Sequence, residues 1–162
     1  MHDLTGAPAE TIEIEDETLF ERLIEGEKKN YIMAASAGSN EASLEALEKL
    51  GLIGGHAYGL LAAYTIEDRF GDEIRLIQLR NPWGDFEWKG DWGDDSDCWT
   101  PETKEVCNWT NVDDGTFFMA LEDVQKYFNR VQLCRLNDDY KYASFKGRHK
   151  FGSYSLCRFN VP

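Results

Sequence analysis

The fold is decided by residues 54–84, which open Gly54-Gly55-His56-Ala57-Tyr58 and close Arg80-Asn81-Pro82-Trp83-Gly84. Between these ends lie two apolar runs, at 57–64 and 74–79, separated by a polar stretch that contains a glycine. Two strand-like runs around such a turn are typical of a β-hairpin. A turn near residues 68–69 returns Asn81 to the end of the sheet that carries His56. The spacing therefore allows an imidazole and a carboxamide to be neighbours.

That neighbourhood has a chemical use. A histidine that activates a thiol keeps one ring nitrogen towards the nucleophile, and its other nitrogen needs a partner that fixes the tautomer and the ring orientation. The carboxamide oxygen of Asn81 can serve His56 in this way. Trp83 is large enough to shield the bond from water, which strengthens it. A lone histidine beside a strand is more often structural, so the spacing alone does not decide between the two interpretations.

The identities of the residues in these motifs carry more information than their spacing. Gly-His-Ala-Tyr at 55–58 and Arg-Asn-Pro-Trp-Gly at 80–84, followed by Glu87-Trp88 and Gly90-x-Trp92, closely resemble the calpain family of papain-like cysteine proteases. The resemblance runs from about residue 3 to residue 138 and is to the second subdomain of the protease core. It implies an α+β fold with a bent antiparallel β-sheet and flanking helices. It also implies that His56 is general base and then general acid, that Asn81 orients it, and that Trp83 shields the pair and forms part of the cleft wall.

The remaining pattern supplies the elements of such a domain. Alternating or apolar runs predict strands at 11–14, 31–35, 117–119 and 131–136. Amphipathic runs predict helices at 17–29, 41–50 and 121–129, the first capped by Asp16. The stretch 84–109 holds four tryptophans and many acids, and it shows no regular periodicity. Its aromatic side chains are expected to pack together while its carboxylates face outward.

The last part of the sequence differs in character. Residues 140–162 contain no acids and have an aromatic and glycine rhythm. They resemble the entry strand of the β-sandwich module that follows the protease core in calpains. We therefore expect a protease-core subdomain at 1–138, then a truncated start of that module, or a linker, at 139–162. This expectation makes the chain a piece of a longer polypeptide.

Composition excludes several classes of protein. The net charge is −13 over 162 residues and no basic patch is visible, which argues against nucleic-acid binding. No run of about 18 apolar residues and no signal peptide is present, so we expect a cytoplasmic protein without a transmembrane segment. None of the four cysteines forms a Cys-x-x-Cys pair, so a zinc site is not expected and the thiols are read as reduced. They are Cys98, Cys107, Cys134 and Cys157.

The acids also suggest a cation site. Hard oxygen donors suit calcium, although most acidic loops are simply solvated. In calpain-like cores one calcium is bound in this subdomain, and the resemblance places its ligands at Glu87, Asp94, Asp114 and the backbone carbonyl of Val112. One position departs from the family pattern, because Thr116 stands where an acid is usual. The loss of a carboxylate predicts a weakened or absent site, and Asp113 is the neighbouring acid that could compensate for it.

The nucleophile of a Cys-His-Asn mechanism is not found before His56, where the sequence has no cysteine. Asp97-Cys98-Trp99 mimics the family's nucleophile motif, but it follows the histidine and lies in the tryptophan-rich stretch. We therefore expect the His/Asn half of a calcium-dependent calpain-type endopeptidase that acts on proteins. Its partner would be the Cys-bearing subdomain of the same polypeptide, and alone it would be inactive. The alternative is a non-catalytic calpain-like module that binds calcium or a protein. A third interpretation, an unrelated β-rich domain, would require the match to the His-Ala-Tyr and Asn-Pro-Trp-Gly motifs to be accidental.

Overall fold

Six strands form one sheet in the computed structural model, which describes residues 5–38 and 43–136. The strand order is β1-β6-β2-β3-β4-β5, and every neighbouring pair is antiparallel. The strands are β1 (Ala9–Glu13), β2 (Ile32–Ala37), β3 (Ala57–Glu67), β4 (Glu73–Arg80), β5 (Thr116–Ala120) and β6 (Phe128–Cys134). The helices of the described residues are α1 (Leu19–Lys28), α2 (Leu44–Lys49), α3 (Pro101–Val106) and α4 (Leu121–Tyr127). The predicted α+β class with an antiparallel sheet is confirmed.

The β3–β4 hairpin is the predicted one, and its tip is closed by a single side chain. Asp68 Oδ1 accepts hydrogen bonds from the backbone N–H groups of Phe70 (2.8 Å) and Asp72 (2.9 Å). A short acceptor that binds its own following backbone is how aspartate favours turns. Antiparallel pairing then runs from Glu67 opposite Glu73 back to Gly59 opposite Arg80. His56 and Asn81 therefore lie at the same end of the sheet.

A β-bulge interrupts this pairing between Leu60 and Ala62. Because side chains alternate along a strand, one extra residue reverses the face on which the following side chains lie. Before the bulge Tyr58 and Leu60 pack into the main core, and after it Tyr64 and Ile66 contact the second cluster on the other face. The N–H of Ala63, just past the bulge, donates to Glu27 Oε2 of α1 at 3.1 Å.

Two hydrophobic clusters result, one on each face of the β3–β4 hairpin. The main core packs α1, α2 and α4 against the sheet, with Leu23, Val124 and Phe117 fully buried. The second cluster is built by the tryptophan-rich stretch, in which Trp99 makes edge-on ring contacts with Trp92 (5.1 Å between centroids) and Phe118 (5.2 Å). The expected packing of aromatic side chains in this loop is confirmed.

Helix boundaries depart from the predictions in three places. Helix α1 begins at Leu19, because Asp16 Oδ1 accepts from both the N–H (2.8 Å) and the hydroxyl (2.7 Å) of Thr18 and so forms a turn before the helix. Helix α2 is confined to residues 44–49 with Ser43 as its N-cap. Helix α4 ends at Tyr127, and β6 begins at Phe128 because that residue pairs with Ala37.

Helix α3 was not predicted at all. A capping box marks its start, in which Thr100 and Thr103 each accept a hydrogen bond from the other's backbone N–H, and Pro101 occupies the first turn. No helix among residues 5–38 and 43–136 is long and apolar enough to cross a membrane. The segment 139–162, expected to begin a further module, lies outside the described residues.

Candidate active site

The two ends of the hairpin bring a histidine and an asparagine into hydrogen-bond contact. His56 immediately precedes β3 and Asn81 immediately follows β4. His56 Nε2 and Asn81 Oδ1 lie 2.9 Å apart. A carboxamide oxygen only accepts hydrogen bonds, so in the neutral ring the proton is on Nε2 and Nδ1 is the free base. This is the tautomer that a histidine needs in order to take a proton from a thiol.

The orientation of the Asn81 carboxamide is fixed by its other partners. Its Nδ2 donates to the carbonyl oxygen of Asp85 at 2.6 Å and approaches that of Phe86 at 3.4 Å, and its Oδ1 also accepts the N–H of Trp83 at 3.1 Å. Exchanging the amide nitrogen and oxygen would set acceptor against acceptor at Asp85, so the network decides the assignment. Asn81 is fully buried, and its side chain is satisfied on both atoms.

Two aromatic rings flank the imidazole. Trp83 lies 4.6 Å from His56 between ring centroids at an interplanar angle of 49°, and Tyr58 approaches edge-on at 5.0 Å. The Tyr58 hydroxyl accepts the N–H of Ile53 at 2.8 Å, which ties down the loop that leads into His56. Trp83 is 63% exposed. It therefore covers one side of the histidine and leaves its own outer surface in solvent.

An acidic cleft of about 670 Å³ lies beside this pair. Glu87 and Asp94 line it from one loop, and Asn111 and Asp113 line it from another. Glu87 Oε1 accepts two backbone N–H groups of the second loop, from Gly115 at 2.7 Å and from Asp114 at 3.0 Å. The two loops that carry the candidate calcium ligands therefore meet, and a carboxylate joins them.

Electrostatics in the cleft reflect its excess of negative charge. Burial, with the neighbouring charges of Glu87, Asp95 and Asp114, raises the pKa of Asp94 from 3.8 to about 6. Burial likewise raises the pKa of Glu87, against the two N–H groups that lower it. The buried indole N–H of Trp109 lies close enough to Asp94 to lower the pKa of that carboxyl slightly. In the described part of the chain, however, no acceptor lies within hydrogen-bond distance of this N–H.

The predicted calcium ligands are only partly assembled. Their oxygen chemistry suits calcium. The raised pKa values of Glu87 and Asp94 show that negative charge is disfavoured on these carboxylates, and a bound cation would offset that effect. One oxygen of Asp114 is already engaged, however, because its Oδ1 accepts the N–H of Thr116 at 2.9 Å, and hydrogen bonding to Thr116 lowers the pKa of Asp114. Within residues 5–38 and 43–136 no three Asp, Glu, His or Cys side chains are close enough to hold a metal ion. The donor set at Glu87, Asp94, Asp114 and Val112 stays a prediction.

Cys98 lies far from the histidine. It lines a small cleft with Asp68, Arg69 and Phe70 at the tip of the hairpin. His56 lies at the opposite end of the same hairpin, 11 residues of β3 away, a strand length of roughly 35 Å. This position agrees with the sequence argument that Asp97-Cys98-Trp99 is not a nucleophile motif. Burial also raises the pKa of the Cys107 thiol to about 11, which makes it unreactive.

Three contributors to the site were not singled out from the sequence. Tyr58 was read only as part of a motif, and neither Asn111 nor Gly115 was given a role at the site. The Gly115 carbonyl accepts the Asn81 N–H at 2.7 Å, at a φ of +84° that favours glycine. The Asp-Gly pair at 114–115 signals such a turn, but only the fold shows that the turn supports Asn81.

A histidine oriented by an asparagine on an antiparallel α+β scaffold is the base arrangement of a class of cysteine proteases. The sequence matches the model for the calpain family of cysteine proteases over residues 1–135. It is 37% identical to Calpain-9 of Homo sapiens over 146 residues, which cover 86% of this chain and 21% of the relative. It is 36% identical to Calpain-B of Drosophila melanogaster over 149 residues, covering 86% and 16%. It is 33% identical to the Calpain-2 catalytic subunit of Bos taurus over 143 residues, covering 85% and 20%.

The chain belongs to the calpain family of cysteine proteases. It spans 16–21% of the length of the relatives named above.

Proposed function

We propose that this chain is the His/Asn-bearing half of a calpain-type cysteine endopeptidase, corresponding to the second subdomain of the protease core. The observation that carries the proposal is the 2.9 Å contact between His56 Nε2 and Asn81 Oδ1, with the carboxamide held by Asp85 and Trp83. This contact leaves Nδ1 as the base. The substrate is protein, and the nucleophilic cysteine comes from a Cys-bearing subdomain that is not among residues 1–162.

The residues of this half perform three tasks in that reaction. His56 Nδ1 takes the thiol proton, so that the thiolate attacks the peptide carbonyl, and the imidazolium then returns a proton to the leaving amine. Asn81 holds the ring in one tautomer and orientation throughout. Trp83, which packs at a tilt against the ring and is largely exposed, shields the hydrogen bond and offers a surface to the substrate or to the other subdomain.

Calcium enters the proposal as a regulator of position. The acidic cleft would hold the ion with Glu87, Asp94, Asp114 and the carbonyl of Val112, and bound calcium would supply positive charge that removes the repulsion among these carboxylates. Asp114 Oδ1 is already used by the N–H of Thr116, and Thr116 supplies no carboxylate of its own, which predicts weak binding. Asp113, which lines the cleft, is the available substitute.

The test is reconstitution of a complete core. The chain alone, incubated with casein and calcium, should release no peptides, whereas the chain joined to the Cys-bearing core subdomain of a calpain relative should release them. In the joined protein His56→Ala should abolish cleavage and Asn81→Ala should lower kcat.

Two control variants accompany this test. Asn129→Ala, which changes an exposed asparagine of β6, and Cys98→Ser should leave cleavage unchanged. Cleavage by the isolated chain that disappears in Cys98→Ser would refute the proposal. A folded joined core that binds calcium or a protein but never cleaves would instead support a non-catalytic module.

A further inference from the structure

Glu87 has a second connection that its role as a candidate metal ligand does not use. Its Oε1 accepts the N–H of Gly115 at 2.7 Å and that of Asp114 at 3.0 Å, across a separation of 28 and 27 residues. Both donors are backbone groups of the turn before β5. A carboxylate that accepts two backbone N–H groups makes charge-assisted bonds, which are stronger than neutral ones. The turn is thus held to the loop after β4 by protein atoms.

The same turn holds the backbone of Asn81. The Gly115 carbonyl, on the residue whose N–H binds Glu87, accepts the Asn81 N–H at 2.7 Å. The approach is close: a Cβ built on Gly115 would lie 2.6 Å from the Asn81 carbonyl oxygen and 2.9 Å from Gly84 Cα. A displacement of the Gly115 backbone therefore moves Asn81 directly.

The loop that carries Glu87 also holds the side chain of Asn81. The carbonyl oxygens of Asp85 and Phe86, the two residues before Glu87, face Asn81 Nδ2 at 2.6 and 3.4 Å. Glu87 thus joins the two segments that fix Asn81, one through its backbone and one through its side chain. A chain of hydrogen bonds runs from Glu87 through Gly115 and Asn81 to His56 Nε2.

We propose that Glu87 is a positioning residue for the His56–Asn81 pair, and that one of its carboxylate oxygens does this work by accepting two backbone N–H groups. We call these two bonds, from the N–H groups of Asp114 and Gly115 to Glu87 Oε1, the clamp. Its importance for catalysis rests on the function proposed above. The clamp is distinct from cation binding in its chemical requirement. It needs an acceptor oxygen at the reach of a glutamate, whereas the contribution of Glu87 to calcium affinity depends on its negative charge.

Two substitutions separate these requirements. Glu87→Gln keeps the reach and an acceptor oxygen but removes the charge. Glu87→Asp keeps the charge and withdraws the carboxylate by about one methylene, roughly 1.5 Å, beyond hydrogen-bond range of the turn. Asp95→Asn, in the same cleft, is the matched control that removes a charge without touching the clamp.

The measurement is NMR of the full 162-residue chain with a calcium chelator present. Long-range ¹H–¹⁵N spectra report the tautomer of His56, and hydrogen exchange reports the Asn81 amide and side chain. The wild type, Glu87→Gln and Asp95→Asn should show a single Nε2–H tautomer and protected Asn81 protons. Glu87→Asp should show a mixed tautomer and exchange at Asn81 faster by roughly tenfold or more.

Two outcomes would overturn the clamp. One is a Glu87→Asp spectrum that matches the wild type at His56 and Asn81. The other is a Glu87→Gln spectrum as disturbed as that of Glu87→Asp, since charge and not hydrogen-bond acceptance would then matter. Because these spectra do not depend on cleavage, a joined core that is inactive while the spectra behave as expected would refute the proposed function and leave the clamp standing.

Discussion

Replacing Asn81 by alanine tests the site through its stability as well as its chemistry. The substitution removes a side chain that is fully buried and whose two polar atoms make three good hydrogen bonds, to His56, Trp83 and Asp85. The contact with the Phe86 carbonyl at 3.4 Å adds little. The backbone bond from Asn81 to Gly115 is unaffected, so the hairpin pairing is retained.

The magnitude follows from these three bonds. A neutral hydrogen bond contributes about 1 kcal/mol net, and a buried group left without a partner costs more. Because Trp83 and Asp85 are exposed residues, water can reach some of the groups that are uncovered. We therefore expect the free energy of unfolding to fall by roughly 2–3 kcal/mol, a substantial part of the 5–15 kcal/mol typical of a domain.

The assay is urea unfolding followed by the fluorescence of the five tryptophans. The midpoint should fall with an unchanged m value, which would show that stability and not the extent of folding has changed. Asn129→Ala, on the exposed side of β6, should change the free energy by less than about 0.5 kcal/mol. A loss below about 1 kcal/mol for Asn81→Ala would refute the hydrogen-bond network as described.

Three further predictions concern other parts of the domain. Asp94 has a pKa of about 6 when folded and near 3.8 when unfolded, so the folded state binds more protons and stability falls as pH rises from about 4 to 6. In chelator, Asp94→Asn should therefore be more stable than the wild type at pH 7.5, by about 1 kcal/mol after solvent screening, and equal to it at pH 3, as measured by urea unfolding at both pH values. Tyr58→Phe leaves the Ile53 N–H without its acceptor and should cost about 1–2 kcal/mol, with faster amide exchange at Ile53; unchanged exchange would contradict this. Thr100→Ala removes the α3 cap that accepts from Thr103 and should lower the melting temperature by a few degrees, equivalent to about 1 kcal/mol, whereas no shift would show the cap to be redundant.

The hairpin could be predicted because its signals are local. Two apolar runs around an Asp-rich turn fix the pairing partner, and the chain then has to bring His56 and Asn81 to one end of the sheet. The capping box of α3 is local too, and its Thr100-Pro101-x-Thr103 signal was present but was hidden among acids and tryptophans. The start of α1 was misplaced because Asp16 accepts hydrogen bonds from Thr18 and forms a turn before the helix instead of capping it.

What could not be predicted depends on contacts between distant parts of the chain. The support of Asn81 by Gly115 and Glu87 joins segments about 30 residues apart. Neither segment contains a sequence signal that identifies the other as its partner. The bulge in β3 is of the same kind. Its position is set by which face the main core and the tryptophan cluster occupy, and periodicity read along one strand contains no such information.

The bulge also sets a rule for how the length of this hairpin can change. Between His56 and the bulge near Leu61 the residue count is fixed, since removing one residue would carry the imidazole to the face opposite Asn81. Removing two residues would keep the face but draw the imidazole roughly 7 Å along the strand, out of contact with Asn81. Beyond the tip at Asp68 no such arithmetic applies, because the chain there turns in solvent. Insertions at the tip should therefore leave the base in place, and one-residue deletions next to it should not. The proton-transfer geometry therefore tolerates no change of length between His56 and the bulge, whereas the length of the two strands separates it from changes at the tip.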